Sequence, residues 1–171
     1  MSSADAAQRE ADWLNTTSGD SLPFLPAEAG GPWDVIAAYT QGAQTRTNPT
    51  AVYVLRGPFQ TLRVANQRTR PRYPMRLELH WPVRVISPGS SSIAATEQQA
   101  FDDAVELLRQ RVAGPLGDKT HGGRFLSAAI AASRGQPDIT VTPEQAAQTI
   151  RAGKELRACM TYLVDDFEVS N

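Results

Sequence analysis

Residues 114–125, GPLGDKTHGGRF, gather more reactive side chains than any other stretch of the chain. Asp118, Lys119, Thr120 and His121 stand beside Gly122 and Gly123, with Arg124 following. A phosphate cradle of the Walker type needs Gly-x-x-x-x-Gly-Lys-Ser/Thr between a strand and a helix. Here Lys119 precedes the paired glycines, and a helical pattern precedes the loop, so the order is wrong. A catalytic histidine needs an orienting partner and a nucleophile. The only other histidine, His80, lies on the polar side of an alternating segment, and no partner carboxylate for His121 is legible. Two histidines some forty residues apart, without a third ligand signal, make a weak zinc case. Asp102–Asp103 fall on a wet helix face, while Asp165 and Asp166 point to opposite sides of a strand. The chain is therefore expected to be no enzyme and to hold no cofactor or metal. Gly122 and Gly123 are expected as structural turn positions with positive φ or close backbone approach.

A single cysteine, Cys159, rules out an internal disulfide and a cysteine cluster, and its flanks RACMTYLV read as a strand interior. The 171 residues suit one domain with a real core, and 12 glycines with 12 prolines make it rich in loops. A net charge of −1 argues against a surface that binds nucleic acid throughout. The opening MSSADAAQREADW has no basic start followed by an apolar run, and no apolar stretch has the length that crosses a bilayer. A soluble protein of a reducing compartment, with no membrane partner, is the expectation.

The elements that must carry these residues follow from periodicity. Ser2 or Ser3 caps a short helix to about Asn15, with Ala7, Ala11 and Leu14 on one face. Residues 16–32 read as a linker, and PWDVIAAYT as a second short helix opened by Pro32 and closed by Gly42. AVYVLRG (51–57) is a strand, and FQTLRV (59–64) continues it or pairs with it. The strongest signal is YPMRLELHWPVRVIS (73–87), where Met75, Leu77, Leu79, Trp81, Val83 and Val85 alternate with polar residues. Pro82 on its polar side removes a ladder bond and suggests an edge or bulge.

SPGSSSIAA reads as a linker before a helix that Thr96 opens, with Gln99 closing a capping box. Phe101, Ala104, Val105, Leu108 and Val112 form its apolar stripe, and Asp102, Asp103, Glu106, Arg109 and Arg111 face water. It ends at Gly114–Pro115. GRFLSAAIAAS (123–133) fits either a strand or a short helix, DITVT (138–142) is a strand, and PEQAAQTIRAG gives one or two helical turns. ELRACMTYLVDDFEVS closes the chain as a strand with a bulge or bend at Asp165–Asp166. The fold class is α/β (α+β), a mixed, largely antiparallel sheet with a long amphipathic strand and one or more helices packed on it. The single domain 1–171 divides into an acidic helical part with linker, 1–50, and a sheet-and-helix core, 51–171. An arginine-rich arm lies near 63–76.

Charge is distributed unevenly. Residues 1–34 carry six acids against Arg9, a net of −5, whereas 35–77 carry no acid and seven arginines. Pro71 and Pro74 keep RVANQRTRPRYPMR out of a helix, leaving an extended arm or hairpin tip. Arg63, Arg68, Arg70, Arg72 and Arg76 are candidate contacts to a neighbouring subunit or to DNA, and a plainly solvated loop is the simpler reading. Arginine at every position favours forked hydrogen bonds over diffuse charge. A nucleic-acid-binding module would use the same arm with Tyr73 and Trp81 for stacking, although Trp81 shares the apolar face and is expected in the core.

The order of these elements resembles tail terminator proteins of long-tailed, siphovirus-like bacteriophages. The likeness rests on a short N-terminal helical part, a strand ending in VLRGP, the long strand RLELHWPVRVIS and the helix TEQQAFDDAVELLRQRVAGPL. DKTHGGRF and the closing strand ACMTYLVDDFEV complete it. It spans residues 50–169; residues 1–50 lie outside it, and 143–153 is an addition. Head–tail connector or neck proteins, stopper or adaptor, are similar in size. The resemblance implies a structural virion protein without catalytic residues, assembled in the host bacterial cytoplasm. Its copies would form a hexameric ring that caps the tail tube, meets the major tail tube protein and the head–tail connector, and passes genomic DNA through its lumen. Such a ring needs a head-to-tail interface, for which the acidic N-terminal part and the arginine arm are the expected patches. Reversal of Arg68, Arg70 and Arg72 to glutamate is then expected to abolish ring formation.

Overall fold

The computed structural model describes residues 5–18, 23–39, 49–58, 60–65, 68–83, 91–114, 118–131, 133–144, 155–167 and 169–170. Two α-helices, α1 (Ala6–Leu14) and α2 (Ser91–Ala113), accompany eight strands among the described residues. These are β1 (Val35–Ala38), β2 (Ala51–Arg56), β3 (Gln60–Ala65), β4 (Arg68–Pro82), β5 (Ser127–Ile130), β6 (Ile139–Pro143), β7 (Glu155–Asp165) and β8 (Val169–Ser170). The fold is α+β, with a mostly antiparallel sheet and helices packed on it, as the sequence pattern predicts.

β4 is the spine. Along one side it pairs with β3 through Arg68–Arg72 and with β2 through Met75–His80. Along the other it pairs with β8 at Arg68–Thr69 and with β7 from Arg72 to Pro82. β7 in turn carries β6 and β5 on its far side, and β1 adds to β2 in parallel. Period 2 then sorts the residues. Tyr73, Met75, Leu77 and Leu79 of β4, Val52 and Val54 of β2, and Ala158, Met160, Tyr162 and Val164 of β7 all fall on one face. They form a single core with Ala6, Ala11, Trp13 and Leu14 of α1 and Phe101, Ala104, Leu108 and Val112 of α2. Both helices therefore cover the same side of the sheet.

Several boundaries differ from the sequence-based expectations. The segment expected as a second helix, 32–40, contains β1 instead. Pairing overrides propensity there: Asp34 and Thr50 exchange backbone-to-side-chain hydrogen bonds of 2.9 and 3.0 Å, which fix the parallel register of Val35 against Ala51. Residues Ser2 and Ser3 lie outside the described residues; α1 starts at Ala6 with Asp5 before it, and the Asp5 carboxylate accepts from Arg9 rather than capping a backbone N–H. Its end is held by Asn15, whose amide donates to Ala11 and Ile36 carbonyls, both at 2.9 Å.

β4 begins at Arg68, five residues before the alternating stretch, so the arginine-rich segment is itself strand. At about 3.3 Å per residue its 15 residues run about 50 Å. Pro82 ends β4 opposite Glu155, past the last β2 partner at His80, so the lost N–H falls where β2 has already stopped. Val85 lies outside the described residues.

α2 begins at Ser91, so Thr96 sits inside the helix and Gln99 donates to Asp103 at 2.9 Å instead of closing a capping box. Ala94 and Ala95 are strong helix formers that extend the helix backwards. Arg111, expected to face water, is fully buried. The ambiguous 123–133 segment contains strand β5, bulged at Ala129 with φ +49. The helical turns expected over PEQAAQTIRAG lie mostly outside the described residues.

Candidate subunit interface

Of the five candidate arginines, Arg68, Arg70, Arg72 and Arg76 lie on β4 and Arg63 on β3. Arg72 and Asp165 are directly opposite on β4 and β7, and the guanidinium forks onto the carboxylate, Nε to Oδ1 at 2.6 Å and Nη2 to Oδ2 at 3.0 Å. These charge-assisted bonds hold the Arg72 guanidinium above its usual range. Arg70 adds a 3.9 Å approach to the same carboxylate. Arg76 reaches Glu144 at 3.0 Å and Glu78 at 3.3 Å. Cross-strand pairing inside one chain thus engages Arg70, Arg72 and Arg76. Arg63 on β3 and Arg68 at the start of β4 are exposed on the β3–β4 hairpin. All six β3 residues are exposed, including Leu62 and Val64, and β3 pairs on one side only among the described residues.

Behind the sheet lies a charged network that the sequence concealed. The loop 118–125 folds inwards. Asp118 accepts from the Thr120 and Gly122 backbone N–H groups at 2.8 and 3.0 Å and from the Thr120 hydroxyl at 2.7 Å. Burial opposes ionisation of Asp118, but these donors prevail and lower its pKa. Left-handed φ follows at His121 (+51), Gly122 (+67) and Gly123 (+77), as the two glycines were expected to supply. That turn drives the fully buried His121 ring against α1. Its Nε2 donates to the Val112 carbonyl at 2.9 Å, and its Nδ1 lies 2.9 Å from Oε2 of Glu10, with a proton bridging the pair. The other Glu10 oxygen accepts from the Tyr162 hydroxyl. Trp13 stacks flat on the His121 ring at 3.8 Å between centroids.

Two arginines complete the network. Arg9 forks onto Asp166 at 2.6 and 3.1 Å, donates to the Arg124 carbonyl at 2.6 Å and lies 4.8 Å from the Phe125 ring centre. Asp166 also accepts from the Tyr73 hydroxyl at 2.7 Å. Burial, then Asp166, pushes the Tyr73 hydroxyl far above the ordinary tyrosine range, and burial with Glu10 does the same to Tyr162. Arg111 donates to the Trp13 carbonyl at 2.8 Å and covers that indole at 4.4 Å. Burial lowers the Arg111 pKa, against the pull of Glu10.

Glu10 is thus the carboxylate partner that His121 lacked in the sequence, 111 residues earlier. The constellation is sealed: Glu10, His121 and Tyr162 are buried, and His121 bonds to Glu10 and to a backbone carbonyl rather than to a nucleophile. Among the described residues no group of three metal-binding side chains occurs. Tyr73 is buried and Trp81 packs between Trp33 and Phe101, so neither ring is presented for stacking. The acids of the N-terminal part are also partly engaged, Glu10 in the core, Asp5 on Arg9 and Asp34 on Thr50. No family model matches this sequence, and no curated protein matches it either.

Proposed function

We propose that the chain is a structural subunit of a phage tail, a tail terminator whose copies form a ring. In this reading the ring caps the tail tube, receives the head–tail connector and surrounds the passing DNA. One observation carries it: the β3–β4 hairpin is exposed along the whole of β3, Leu62 and Val64 included, and among the described residues β3 pairs with β4 alone. A strand edge of this kind invites pairing with another chain unless something covers it. The inward-facing loop and the self-satisfied Glu10–His121–Tyr162 network support structural work over turnover. The burial of Tyr73, and the packing of half-buried Trp81 against Trp33 and Phe101, support assembly over nucleic-acid stacking. Another neck protein, a stopper or adaptor, would use the same hairpin.

Negative-stain images of the purified chain test this: rings of uniform diameter are expected, and a field of separate small particles would contradict it. The charge reversal suited to the test is at Arg63 and Arg68. Reversal of Arg72 would strip Asp165 of its forked partner and damage the fold itself.

A further inference from the structure

The sheet has two open edges among the described residues, and they differ in charge. β3 forms part of one, with Arg63 within it and Arg68 across the hairpin. β6 lies at the opposite edge, pairing with β7 alone. It is bracketed by Asp138 and Glu144, whose side chains are 53% and 38% exposed. Asp138 pairs with Lys119 at 3.7 Å and Glu144 with Arg76 at 3.0 Å, and carboxylates accept several bonds. The two strands are nearly equal in length, six residues against five. Resting on the ring reading above, we infer that successive copies join edge to edge, β3 of one chain pairing along β6 of the next.

The partner is a second copy because one chain offers both halves of the match: an edge with guanidinium groups and an edge flanked by carboxylates, on opposite sides of one sheet. Backbone pairing supplies the contact, and charge sets partner and orientation. A contact between two different patches is heterologous, so it propagates into a closed ring or an open filament rather than stopping at a dimer. The pairing cannot be satisfied within one chain. Thr69, opposite Arg63, and His80, level with the Arg157 carbonyl that receives the Glu144 N–H, are separated along β4 by about 36 Å at about 3.3 Å per residue.

The test is a charge swap in the full chain, read by light scattering coupled to size exclusion, with circular dichroism checking the fold. Arg63→Glu is expected to remove at least nine-tenths of the ring population, and so is Glu144→Arg alone. The double variant Arg63→Glu/Glu144→Arg, which restores opposite charges at every joint, is expected to recover rings. Should Arg63→Glu misfold, Glu144→Arg on the other edge gives the same reading independently. Rings that persist in both single variants, or that fail to return in a folded double variant, overturn this interface while leaving the ring itself standing. A wild-type chain that never assembles overturns both.

Discussion

Arg9 offers the sharpest test of how α1 is held. Its guanidinium and the Asp166 carboxylate are 9% and 3% exposed at the side chain and meet through two bonds. Arg9→Met keeps a long apolar stem but leaves Asp166, among the described residues, with the Tyr73 hydroxyl and the Phe167 N–H. Removing one partner of a buried ion pair costs about 3–5 kcal/mol, because the remaining charge stays buried and uncompensated. The Arg124 carbonyl loses its donor as well. For a chain of this size each kcal/mol moves the melting midpoint by about 2–4 °C, so a fall of about 6–20 °C is expected. Thermal unfolding followed by tryptophan fluorescence measures that fall, and urea unfolding the free-energy loss, since Trp13 sits in the same helix. Arg9→Met/Asp166→Asn, which neutralises the stranded carboxylate, should recover part of the loss, a non-additivity typical of residues in contact. A loss below about 1 kcal/mol for Arg9→Met, or simple additivity in the pair, would refute the claim that α1 is clamped through this bridge.

Three further outcomes follow from the same geometry. Tyr162 and Tyr73 have pKa values raised far above those of unfolded tyrosine, so their contribution is complete below about pH 10 and declines as pH rises beyond it, where only the unfolded chain ionises. Urea midpoints measured between about pH 8 and 11 should fall on the alkaline side, and less steeply in Tyr162→Phe. At neutral pH that variant loses the hydroxyl's bond to Glu10, a cost of about 1–3 kcal/mol by the same denaturation assay. Gly31→Ala should cost about 1–3 kcal/mol, because its new methyl group would stand 2.1 Å from the Leu25 carbonyl oxygen, whereas Gly123→Ala meets no atom within 4 Å and should cost only about 1 kcal/mol for its left-handed backbone.

The sheet was legible wherever one face is buried and the other wet. Met75, Leu77 and Leu79 announce β4 by strict alternation, and Phe101, Ala104, Leu108 and Val112 announce α2 by helical spacing. Local signals failed where a distant partner decides. β1 is a strand because β2 lies beside it, and nothing within PWDVIAAYT says so. The arginine-rich segment extends β4 because β3 flanks it and β8 meets its first two residues. Charge misled most at the core: Glu10, Arg9 and Arg111 carry the residue types of a wet surface but are buried, each next to a partner about a hundred or more residues away in sequence. The paired glycines were readable because only backbone geometry was at stake. The use to which they put His121 depended on α1 and was not.

Lasting contact between copies of this chain would show most plainly in its native mass. Mass spectrometry of the purified full chain from non-denaturing buffer should give one dominant species at about six times 18.6 kDa. A single species at 18.6 kDa across the whole accessible concentration range would contradict it.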